Sequence, residues 1–225
     1  MSQTARPGSS AGAGAGDPSD VPGAIVSPSR RRAPRQDAIR NERALVAAVG
    51  ELLREDPEEA TMPAVAERAG LSLATAYRYF PTLEQLHRRF MLSVVEHADA
   101  TTTDFEQRGR ELFERILAHW IDVVSVYGPA MVLVRSREGF LVRLEAGEGQ
   151  ASALDRMWGR AIRDLMREAG VAESRYPLAL GLYNALLNSR EILDVRDATG
   201  MADGALVQHL SRVYRAALRG LADEA

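Results

Sequence analysis

Cysteine is absent from the 225 residues, and so is lysine: all 28 basic side chains are arginine. Without cysteine there is no disulfide framework, thiolate metal site, thiol nucleophile or redox switch. Long apolar runs are missing too. Apolar runs such as Met131 to Val134 span only a few residues, against the roughly 20 needed to cross a bilayer, so no membrane span is expected. The N-terminus carries Arg6 but not the apolar centre of a secretory signal, which predicts a cytoplasmic protein. Neither sign of charge dominates, because 28 bases face 31 acids for a net −3, so global charge does not point to nucleic acid. The histidines, His87, His97, His119 and His209, make no His-x-x-x-His pair, and neither metal nor cofactor is expected. What is present is an apolar fraction of 46%, enough for a packed core.

Residues 1–35 hold five of the ten prolines and only four large apolar residues, Met1, Val21, Ile25 and Val26. Such a stretch cannot bury enough surface to offset chain entropy and is expected to be a disordered, arginine-containing tail. The glycines at 12, 14 and 16 lack the preceding strand and the later glycine of a dinucleotide turn. Beyond Pro34 every periodic segment has helical spacing and none alternates like a strand, so the expected fold is all-α with about nine helices. Leu45, Ala48, Val49, Leu52 and Leu53 mark a first helix, with Asn41 as its N-cap and Pro57 beyond its end. Thr82 with Gln85 forms a capping box opening a fourth, and Thr103 with Glu106 is read the same way for a fifth, stopped by Gly128-Pro129. A sixth covers 130–143, a seventh ends at Gly170, and two more span 174–196 and 203–221. On the eighth, Leu178, Leu182, Ala185, Leu186 and Leu193 form the main stripe. Leu180, Tyr183 and Leu187 lie off it, which implies a partner beyond the domain, most simply a second copy.

The most informative window runs from Thr61 to Phe80. Thr61 can cap a short helix that presents Val65, Ala66 and Ala69, Gly70 supplies a left-handed turn, and Ser72 caps a second short helix. That is a helix-turn-helix. The alanines at 66, 69 and 76 let two helices cross steeply. Leu73, Ala76 and Phe80 are spaced to face inward, leaving Ala74, Thr75, Tyr77, Arg78 and Tyr79 to a major groove. Arg78 suits a bidentate contact to guanine, and the tyrosine hydroxyls suit phosphates. The expected DNA-contacting set is Thr61, Ser72, Leu73, Ala74, Thr75, Tyr77, Arg78 and Tyr79, within a DNA-binding domain at 36–82.

From Arg43 to about Phe90 the chain resembles the TetR family of bacterial transcriptional regulators. The resemblance rests on Ala47-Ala48, Val65-Ala66, Ala69-Gly70-Leu71-Ser72, Tyr77-Arg78-Tyr79-Phe80 and Leu83-Glu84-Gln85-Leu86. Two positions depart from the family pattern: Leu83 stands where a lysine is usual, and Ala74 replaces a glycine early in the recognition helix. Arg30, Arg31, Arg32 and Arg35 precede the first helix, where an arm can reach phosphates or the minor groove. The resemblance implies a homodimer joined through the last two helices and a palindromic operator. It also implies a helical second domain, 83–225, that binds a small-molecule effector and so releases DNA.

Within that second domain, Phe90, Val94, Phe113, Trp120, Met131, Phe140, Met157, Trp158, Tyr183 and Asn184 are candidate pocket residues. Each aromatic or methionine at helical spacing can equally be core. Asn184 and Asn188 could bond a ligand or cross a dimer interface. The alternative function is a ligand-binding or enzymatic helical domain that retains the helix-turn-helix only as scaffold. No Ser-His-acid ordering or paired-carboxylate site supports an enzyme.

Overall fold

The computed structural model describes residues 32–133 and 136–222, and among them are ten α-helices and no strand. These are α1 (Arg32–Glu55), α2 (Met62–Arg68), α3 (Leu73–Tyr79), α4 (Leu83–Thr103), α5 (Gly109–Leu133), α6 (Phe140–Glu145), α7 (Gly149–Ala169), α8 (Tyr176–Leu186), α9 (Ser189–Thr199) and α10 (Asp203–Ala222). Residues from Ala38 onward form one compact unit. The tail expectation falls mostly on residues outside those described, though Arg32 and Arg35 already belong to α1.

Most capping residues read from the sequence occupy their places. Thr61, Ser72 and Thr82 have extended backbones and accept the N–H groups of Ala64, Thr75 and Gln85, satisfying donors that a helix start leaves unpaired. Gly170 ends α7 in the left-handed conformation. Three local readings are corrected. Asn41 lies inside α1 rather than at its start. Thr103 ends α4 instead of capping a helix, and α5 begins only at Gly109. Gly128-Pro129 does not stop α5, which runs on to Leu133 with Pro129 inside it. A β-carbon at Gly128 would lie 2.7 Å from Leu193 Cδ1 of α9, so this glycine serves close helix approach, and packing carries the helix past the proline.

The stretch expected as one helix over 174–196 is broken in two. Asn188 caps α9 through its side chain, which accepts from the Arg190 and Glu191 N–H groups. Trp120 of α5 donates its indole N–H to Leu187 O at 2.9 Å, taking up a carbonyl at the break. Leu180, Tyr183 and Leu187, off the main stripe, are buried, while on the main stripe Leu178 is 52% exposed and Leu182, Leu186 and Leu193 pack partly buried against the core.

In the second half α7 lies against α4 and α5, and α10 packs on α5, α7 and α8. Phe113 and Tyr214 stack at 4.8 Å, Trp158 meets Phe113 at 5.4 Å and Tyr183 at 4.9 Å, and Tyr183 meets Phe140 at 6.0 Å. This continuous aromatic row links α10, α5, α7, α8 and α6. Two side-chain contacts tie α1 to α4. Arg89 bonds Glu42 at 3.3 Å, and Gly50 leaves room for the Phe90 ring, which a β-carbon there would strike.

Candidate nucleic-acid interface

Helices α2 and α3 meet across Gly70, whose φ of 66° lies in the left-handed region that glycine enters without penalty. The Leu71 N–H closes the turn on Ala66 O at 2.9 Å. Val65, Ala66 and Ala76 are buried at the crossing, and the absence of larger side chains there lets the two helices touch. Arg68 anchors α2 to α1 through Glu55 at 3.0 Å and Glu51 at 3.4 Å. Its hydrogen bond to Glu55 holds that carboxyl below the usual carboxylate value.

The start of α3 is doubly fastened. Ser72 Oγ accepts from Thr75 N at 3.2 Å and lies 2.9 Å from Thr75 Oγ1. Beyond the cap, Ala74, Tyr77 and Arg78 are exposed and Thr75 is half-buried. Leu73 is 41% exposed, which corrects its inward assignment and leaves it on the same surface. Ala76 and Phe80 are buried as their spacing predicts. Tyr79 is half-buried. Its hydroxyl receives a long 3.5 Å hydrogen bond from Asn41 of α1, and the Arg78 guanidinium lies 5.5 Å from its ring centroid. Sequence reasoning missed this use of Asn41, because a local pattern does not show what meets across 38 residues.

The arginines around this surface differ in their commitments. Arg68, Arg88 and Arg89 are each paired with glutamates, whereas no carboxylate pairs with Arg78 among the described residues. The exposed end of α3 thus offers a cation, a phenol and a small-residue N-terminus, fitted to a groove with acceptor edges and flanking phosphates.

The residues proposed as pocket-lining divide. Trp120, Met131, Tyr183 and Asn184 border a half-open cavity of about 90 Å³ with Arg143, Gln150, Leu154 and Asn188. Phe113, Met157 and Trp158 are buried in the core, Phe90 packs edge-on against Tyr127 at 5.6 Å, and Val94 is buried on α4. Phe140 stands behind the cavity wall against Tyr183. The polar residues Arg143 and Gln150 escaped sequence reasoning, which looked for large apolar side chains. No cluster of three or more metal-ligating side chains exists among the described residues, and no described helix is long and apolar enough to cross a membrane.

These features define an all-α protein with an N-terminal helix-turn-helix of the DNA-binding kind. Residues 44–89 match the family model of bacterial regulatory proteins, tetR family. Over these residues the chain is similar to the DNA-binding domain of that family of transcriptional regulators. A tetR-family transcriptional regulator from Streptomyces coelicolor shares the fold, with a TM-score of 0.56 and 18% identity over 81% of each chain. A structure from Mesorhizobium loti MAFF303099 assigned to the same family aligns with a TM-score of 0.47 and 16% identity, over 82% of this chain and 97% of the other. No curated protein matches the sequence significantly.

Proposed function

We propose that this protein is a cytoplasmic, sequence-specific repressor. Two copies, joined through the α8–α9 region and α10, place their α3 helices in successive major grooves of a palindromic operator, about 34–36 Å apart. A small-molecule effector in the second domain, 83–225, then favours a spacing of the two 36–82 domains that no longer fits DNA.

The observation that carries this reading is the outer face of α3, where Ala74, Tyr77 and Arg78 are exposed on a helix capped by Ser72 and preceded by an α2 that Arg68 anchors to α1. A scaffold-only helix-turn-helix has no need of an unpaired arginine and an exposed tyrosine at that place. Leu178, exposed on α8, is the main support for the joining surface.

The test is fluorescence anisotropy of the protein with the intergenic DNA upstream of its own gene, titrated with salt and competed with random duplex. Binding that survives competitor is expected, with affinity falling steeply as salt rises. Equal affinity for random duplex, there and in a selection from random sequences, would refute a sequence-specific regulator.

A further inference from the structure

The cavity bordered by α5, α6, α7, α8 and the start of α9 has a one-sided chemistry. Among the described residues that line it are two arginines, Arg143 and Arg190, the amides of Gln150, Asn184 and Asn188, and no carboxylate. Trp120, Met131, Leu154 and Tyr183 supply apolar wall. The Arg143 side chain is only 17% exposed. Its Nη1 donates to Glu148 at 3.1 Å, while its Nε is buried without a hydrogen-bond partner. A guanidinium whose described ion pair is through Nη1 alone keeps further donors for a second, planar carboxylate, and the covered Nε becomes reachable only if the side chain turns. A buried charged donor without a partner is costly and calls for one.

We infer that this cavity takes the anion of a small organic acid, its carboxylate on the Arg143 guanidinium and its short apolar body between Trp120, Met131 and Leu154. The size follows from the volume. A dry cavity of about 150 Å³ holds benzene, so about 90 Å³ suits a carboxylate on a chain of a few carbons. An adjoining recess of about 100 Å³ shares Ser136, Arg143 and Gln150 but adds Glu138 and Glu148 alongside Arg88, so its charge is balanced and it does not favour an anion.

The site is also placed to be felt elsewhere. Glu148, the partner of Arg143, is the N-cap of α7 and accepts the Gln150 and Ala151 N–H groups. The first residue of α7, Gly149, lies against Leu92 of α4, 3.4 Å from an added β-carbon. A carboxylate competing with Glu148 for Arg143 acts on the α7 start, and through it on the helix that follows the DNA-binding domain. This deepens the effector reading above and rests on it for its regulatory meaning.

Butyrate and butyramide have nearly the same shape and differ in charge, so their binding can be compared by calorimetry and by the fluorescence of Trp120 in the wall. Butyrate is expected to bind at least tenfold more tightly than butyramide, and Arg143→Gln is expected to erase the difference. Equal binding of the pair, or no butyrate binding at millimolar concentration, would overturn the inference using the unaltered protein alone, even should Arg143→Gln fail to fold. Anisotropy with specific DNA then separates the two readings. Butyrate that binds without weakening DNA binding leaves the acid site standing and defeats effector release. Specific DNA binding without butyrate binding does the reverse.

Discussion

Among the described residues Arg78 differs from its arginine neighbours in having no acid paired with it, and that sets what its removal does. Truncating Arg68 would break contacts with Glu51 and Glu55 that hold α2 on α1, so a loss of DNA binding there would mix folding with recognition. Arg78 is exposed, and its described partner is the face of Tyr79. Arg78→Ala is therefore expected to leave the urea midpoint nearly unchanged while costing about 1–3 kcal/mol of specific binding, with relaxed preference at one base pair. Anisotropy against a set of single-base operator variants measures both. A uniform loss across all variants would make Arg78 a phosphate contact instead.

At the scale of helices, legibility followed the range of the interaction. Caps at Thr61, Ser72 and Thr82 could be read because the donor and acceptor lie three residues apart. The end of α5 and the break after Leu186 could not. They are decided by Leu193 seated on Gly128 and by Trp120 reaching Leu187, contacts between residues more than 60 positions apart. The exposure of Ala74, Tyr77 and Arg78 was legible for the same reason as the caps, since all three lie on one short helix, whereas the polar wall of the cavity draws on four helices. Gly50 is a further case, since sequence alone gives no reason for a glycine in the middle of α1. Alanine there gains up to about 1 kcal/mol of helix propensity but drives a methyl into the buried Phe90 ring, and overpacking typically costs about 1–3 kcal/mol. Packing outweighs propensity, so Gly50→Ala is expected to lower stability by about 1 kcal/mol, read as a lower urea midpoint at unchanged slope. A raised midpoint would show that Phe90 moves aside freely.

For the molecule as a whole, the buried His87 and the half-buried His119 shape the response to mild acid. Burial lowers His87 below its ordinary value of 6.5, and it lowers His119 too, helped by His97 and opposed by Asp122. The unfolded chain takes up protons at these positions as pH falls through about 6.5, before the native state does. Their contribution is thus complete above that value and is lost as pH drops toward the folded pKa. Glu114 does not share this window. Burial opposes its ionisation, yet hydrogen bonds from Arg110, Ser211 and Gln208 outweigh it and hold the carboxyl below 4.5, so its contribution is lost only in stronger acid. The urea midpoint is expected to fall between pH 7.5 and 5.5, and a His87→Gln, His119→Gln double variant to flatten that slope. The proposed assembly rests on a different surface. Leu178 is 52% exposed although it sits in an otherwise apolar helix, so an acid at that position should change monomer stability by no more than about 0.5 kcal/mol. In a two-fold interface each substitution is felt twice, because the same patch faces itself. Leu178→Glu is accordingly expected to convert a species of twice 24.6 kDa into one of half that mass, with helicity unchanged. The two α3 helices then no longer share one operator, and tight binding to the palindrome is lost while weak half-site binding remains. A wild-type chain that sediments as a monomer, or a variant that stays dimeric, would remove this surface from the account.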